Sequence, residues 1–170
     1  VIDAGSQVEP WLVAAAQSKI GRVQRQAAHL TPEQFVALRQ SGREDVELID
    51  TALLESAYGN LKEAARVAAF DHDPIRRGHA LSEFSAAAQD LGLDAEAIEA
   101  AREALLLLTP ESDLRGCAAV GMRLGSMLSA RGDYAEAADA FRTAIRAADL
   151  AFFSRLDTDG RELDIRSAGN

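Results

Sequence analysis

A single cysteine, Cys117, has no partner for an internal disulfide and excludes a cysteine-rich zinc site. Lysine is nearly missing as well: Lys19 and Lys62 stand alone, and the rest of the 18 basic residues are arginines. Set against 27 acidic residues, they leave a net charge of -9 and a pI near 4.8. That balance disfavours nucleic acid as a partner, because phosphates reward local positive charge. Long apolar runs are lacking too. The best, residues 11–16 and 104–108, fall far short of the roughly 18–20 residues that span a bilayer. The opening Val1-Ile2-Asp3-Ala4-Gly5 has neither the basic stretch nor the apolar centre of a signal peptide. The expected location is therefore cytoplasmic, away from membranes. The chain starts with Val rather than Met, which reads as a fragment or processed product. There is no glycine-rich phosphate loop, no Gly-x-Ser-x-Gly and no paired His-Glu-His motif, so neither an enzyme nor a cofactor is expected.

What is present is an average globular composition over 170 residues, 48% hydrophobic and 26% charged. One domain or one row of small repeats fits that length. Three segments share a helix–turn–helix pattern. The clearest holds Leu124, Gly125, Leu128, Gly132, Tyr134, Ala137, Phe141 and Ala144. A second runs through Leu81, Phe84, Ala88, Gly92, Ala97, Ala101 and Ala104 to Thr109-Pro110, and a third through Leu48, Ala52, Gly59, Leu61, Ala64 and Ala68 to Asp73-Pro74. Gly59, Gly92 and Gly132 are expected to end helices, since glycine supplies the left-handed conformation that reverses the chain. Ala97 and Ala137 suit close helix approach, with Leu128, Tyr134 and Phe141 filling the space beside them. Asp94 and Asp133 are expected to cap the following helices, with Glu96 and Glu136 in their first turns. Pro74 and Pro110 suit first turns of new helices.

The run Leu124-Gly125 … Leu128 … Gly132-Asp133-Tyr134 … Ala137 … Phe141 … Ala144 resembles a tetratricopeptide repeat. The resemblance implies an all-α, right-handed superhelix of antiparallel helical hairpins over residues 45–149. Residues 1–44 then form cap helices or a degenerate repeat, and residues 150–170 a capping segment or tail. It also implies a non-catalytic scaffold that binds a protein, a peptide or a neighbouring domain in its inner groove. A bacterial regulatory protein is the expected setting. Carrying the groove positions across gives Ile49, Leu53 and Ser56, then His79, Ser82, Glu83, Ala86 and Gln89, then Met122, Arg123, Ser126 and Ser129. The carboxylate clamp of chaperone-binding members is not matched, because Ile49 and Leu53 occupy its first-unit positions and Arg123 alone agrees. The same groove is open to the chain's own N-terminal helix or to a second copy as occupant, so a homodimer is allowed.

Outside the repeats, Pro10-Trp11 opens a helix to about residue 29. Thr31 and Gln34 have capping-box spacing at the head of a short helix to about residue 40, ended by Ser41-Gly42. After Leu150, the segment 156–165 carries a turn signal. Two alternatives stand beside the scaffold reading. Residues 48–77 are similar to the helix-turn-helix of Fis-type regulators, which implies DNA contact through Lys62, Arg66, Arg76 and Arg77. A small secretion-type chaperone would be equally short and acidic. His29, His72 and His79 match no metal-ligand spacing, Asp157-Thr158-Asp159-Gly160 lacks the remaining ligands of a calcium loop, and Cys117 reads as small core filling.

Overall fold

The computed structural model describes residues 10–42 and 49–167, with side chains over 11–42 and 49–154. The described chain is all-α: α1 Pro10–Ala28, α2 Pro32–Gln40, α3 Thr51–Ala68, α4 Pro74–Asp90, α5 Asp94–Leu107, α6 Leu114–Arg131 and α7 Tyr134–Ser167. It divides into two compact units, Val1–Ala100 and Ala101–Asn170, with the boundary inside α5.

In the first unit the helix starts follow local chemistry. Pro32 opens α2 after a capping box, in which Gln34 N–H donates to Thr31 Oγ1 and Thr31 N–H donates to Gln34 Oε1. Asp50 and Asp73 cap α3 and α4 by accepting from Leu53 N–H and from Ile75 and Arg76 N–H. α1 and α3 form an antiparallel pair. Asp50 N–H donates to Ala28 O at 2.8 Å at one end, and further along Gln24 Nε2 donates to Ser56 Oγ at 3.1 Å. Gly21 sets their approach, because a Cβ there would lie 2.6 Å from Cγ of the fully buried Leu61 and 3.1 Å from the Ala57 carbonyl oxygen.

That pairing overturns the expected first hairpin. Gly59 ends nothing; it is exposed and lies in the middle of α3. The buried stripe Leu54, Ala57, Leu61, Ala64, Ala65, Ala68 runs straight past it at helical spacing. One interior glycine costs about 1 kcal/mol against alanine, less than the burial of that stripe returns. The first helical pair is therefore α1 with α3, and α2 belongs to the connection between them.

The second turn is as expected. Gly92 takes φ +71° and Leu93 N–H reaches back to Ala88 O at 2.9 Å, closing α4. Ala86, Ala87, Ala88 and Ala97 are fully buried, and the buried Ser85 hydroxyl donates to Ala97 O at 2.8 Å across the hairpin. The cap, however, is Leu93, whose carbonyl accepts from Ala97 N–H; Asp94 is the first helical residue.

In the second unit, Gly132 takes φ +93° and turns α6 into α7. Asp133 stands at the cap as expected: its carbonyl accepts from Ala137 N–H, while its carboxylate pairs with Arg131. The two helices touch through glycine. A Cβ at Gly121 would lie 2.9 Å from the Ala140 carbonyl oxygen and 3.0 Å from Ala144 Cβ, and one at Gly125 would enter the Phe141 ring. Pro110 sits in a turn rather than a first helical turn, because Asp113 caps α6 by accepting from Gly116 N–H. The turn expected in 156–165 does not form either. α7 runs through Gly160 to Ser167, which also removes the loop a calcium site would need.

Candidate functional site

Each antiparallel pair buries one side of its leading helix and turns another side outward. On α6 the inner side carries Cys117, Val120, Leu124, Met127 and Leu128. Outward, Met122 is 50% exposed and Ser126 is exposed, its hydroxyl donating back to Met122 O at 2.9 Å. Arg123 and Ser129 are half-buried at the edges of that strip. On α4, His79 is exposed, whereas Ser82, Glu83 and Gln89 are half-buried. Ala86 is fully buried and so cannot line a groove.

The residues taken from the supposed first hairpin stand differently, because α3 is a trailing helix. Ile49 precedes α3 in an isolated bridge with His29, Leu53 is half-buried, and Ser56 accepts from Gln24 of α1. The leading helix of this pair is α1, whose outward strip is Leu12, Ala16, Ile20, Val23 and Ala27, all exposed. Ile20 is 52% and Val23 61% exposed. Sequence reasoning missed this strip, although its spacing of four, four, three and four was there to read beside the inner stripe Ala14, Gly21 and Ala28. It also missed the anchor of α1 on α4. Arg25 Nε donates to the largely buried Asp90 Oδ2 at 2.5 Å, and His29 Nε2 lies 3.1 Å from the same oxygen. The α1, α3 and α4 candidates belong to one compact unit and the α6 candidates to the other.

The four residues singled out for DNA contact are already engaged or enclosed. Arg66 makes a two-pronged bond to Glu63, with Nε and Nη2 donating at 2.7 and 2.6 Å. Arg76 does the same to Asp71 at 2.9 and 3.0 Å, and holds that carboxyl below the usual aspartate range. Lys62 donates to Tyr58 Oη and to Glu96, and its own pKa is raised, first by the tyrosine and then by the glutamate. Arg77 is half-buried. Residues spent on carboxylates offer phosphates little free charge.

Burial raises the Cys117 thiol above its ordinary pKa, helped by Glu111 and Asp113, and that keeps it protonated and unreactive. Among the described residues no three His, Cys, Asp or Glu side chains converge as a metal site. No described helix is long and apolar enough to cross a membrane.

One ion pair has a testable pH signature. Arg102 Nε and Nη2 donate to the two Glu136 oxygens at 2.7 Å each, and this pulls the Glu136 pKa below the usual glutamate value. A folded-state pKa depressed in this way stabilises above the unfolded pKa, and the gain disappears as pH falls through the folded value. A double-mutant cycle of Arg102→Ala and Glu136→Gln is expected to give favourable coupling at neutral pH. In urea titrations the coupling should fade below about pH 4, the ordinary glutamate range.

The class these features define is an all-α protein of antiparallel helical pairs with outward-facing strips on its leading helices. No family model matches the chain, and no curated protein matches it significantly.

Proposed function

We propose that this chain is a tetratricopeptide-like interaction module, without catalysis, that binds a segment of another protein on its leading helices. One observation supports the reading above others: the α1 strip Leu12, Ala16, Ile20, Val23, Ala27 is apolar and exposed on a helix whose other side is already packed. Contiguous exposed apolar surface with charged flanks marks partner binding more often than it marks idle surface. Met122 on α6 adds a soft, adaptable contact of the kind used for amphipathic helices and extended peptides. Preformed helices bind with little ordering cost. A bacterial regulator is the setting proposed for the module. The carboxylate partners of Lys62, Arg66 and Arg76 favour this reading over DNA binding.

The test is quantitative capture. A partner recovered on immobilised wild-type chain is purified and titrated by calorimetry against wild type, Ile20→Glu with Val23→Glu, and Met122→Glu with Ser126→Glu. All these positions are exposed, so helicity by circular dichroism should hold in both variants. At least one variant should bind tenfold or more weakly. Equal affinity for all three proteins would refute the assignment.

A further inference from the structure

On another side of α1, the first unit holds a cleft of about 250 Å³ between α1 and α4. Its composition departs from the acidic chain around it. On α1, Trp11, Ser18 and Arg22 stand at positions i, i+7 and i+11, with Lys19 beside them, so one side of the helix delivers an aromatic, a hydroxyl and two cations. From α4 come Arg76 and His79, one turn apart. The floor is alanine: Ala14, Ala15, Ala68 and Ala80. The single acid, Asp71, is occupied by Arg76, whose guanidinium also pairs with Asp73 and lies 5.3 Å from the centre of the Trp11 ring, so Arg76 is already neutralised. Among the described residues neither Lys19 nor Arg22 has a carboxylate partner. In a chain carrying 27 acidic residues against 18 basic, two cations without a carboxylate partner beside an apolar cleft leave room for an anionic ligand.

We infer that this cleft binds a small organic phosphate, its dianionic head between Lys19 and Arg22 and its apolar body on the alanine floor beside Trp11. Phosphate fits the set better than carboxylate. Lys19 and Arg22, one helical turn apart on α1, match the two charges of a phosphate head where a single carboxylate would neutralise one, and guanidinium pairs phosphate oxygens in two-pronged fashion. The volume suits a compact ligand, below the usual range of about 300–1,000 Å³ for drug-sized sites. The apolar floor excludes inorganic phosphate as the preferred ligand, since it would leave that surface unfilled. This inference does not rest on the proposed protein partner: it uses a different side of α1.

Trp11 is the sole tryptophan, so intrinsic fluorescence of the full chain reports on the cleft directly. Titration with phenyl phosphate is expected to give a saturable, single-site change. Inorganic phosphate, phenol and benzoate each should bind at least tenfold more weakly. Lys19→Gln with Arg22→Gln should weaken phenyl phosphate tenfold or more without loss of helicity, since both side chains are exposed. Calorimetry on Trp11→Leu supplies a readout independent of fluorescence and should also show weaker binding. No saturable change by fluorescence or calorimetry, or a double variant that binds as wild type does, overturns the site. Benzoate binding as tightly as phenyl phosphate would overturn the choice of phosphate. Weakened protein capture with intact phenyl phosphate binding, or the reverse, separates this inference from the proposed function.

Discussion

Gly121→Leu is expected to destabilise the α6/α7 pair by about 3 kcal/mol or more, at the upper end of overpacking costs. The reason lies in which atoms oppose the new side chain. At Gly121 the nearest is the Ala140 carbonyl oxygen at 2.9 Å, followed by Ala144 Cβ at 3.0 Å and Ala144 N at 3.3 Å. None can rotate away, so relief requires the helices to separate, and that opens the interface along Gly125 and Phe141 as well. Helix propensity works the other way, because leaving glycine gains somewhat under 1 kcal/mol, but that is too small to compensate. Ala130→Leu, an exposed position on the same helix, supplies the control and should shift stability by no more than about 0.5 kcal/mol. Urea unfolding followed by circular dichroism measures both. Cys117, fully buried on α6, adds a local readout: its alkylation should be faster in the Gly121 variant and unchanged in the control. Matching midpoints for the two variants would show that the close helix approach is misassigned.

Leu61→Ala is the second large effect, expected at about 2–5 kcal/mol, as for a fully buried leucine whose removal leaves a cavity. Leu61 fills the space that Gly21 leaves open, so the pair should be coupled. Gly21→Ala alone places a methyl 2.6 Å from Leu61 Cγ and is expected to destabilise. In the Leu61→Ala background that methyl enters vacated space, and the double variant should be more stable than the two single effects predict by addition. The cycle is measured by urea titration, with hydrogen exchange across α1 and α3 locating the loss. Strict additivity would mean that α1 and α3 do not meet at this point.

These two positions mark how far the sequence could be read. Local chemistry was legible wherever its cause lies within a few residues. Thr31 with Gln34, Pro74 behind Asp73, Gly92 and Gly132 each satisfy backbone groups of their own helix end, so the residues that make the signal also make the structure. The outward strip of α6 was legible too, because Gly132 fixes where that helix stops and hence which residues lead the hairpin. Gly59 carried the same residue type and misled. What kept α3 whole was a partner about 40 positions away in the chain, α1, which receives Leu54, Ala57 and Leu61 along one stripe. Once the turn was placed wrongly, Ile49, Leu53 and Ser56 were assigned to a leading helix that does not exist, and the strip on α1 went unseen. The cleft between α1 and α4 was illegible for a related reason. Lys19 and Arg22 look like scattered surface charge until α4 lays His79 and Ala80 beside them.

By itself, then, the amino-acid order determined the all-α class, the helix ends governed by caps and left-handed glycines, and the small-residue faces that let helices approach. Only the tertiary structure decided which helices pair, that Gly59 is spanned rather than turned, and which cations share a cleft. The division follows from range: a hydrogen bond to a neighbour three or four residues away is encoded locally, whereas the burial of a stripe depends on a surface the chain supplies from elsewhere.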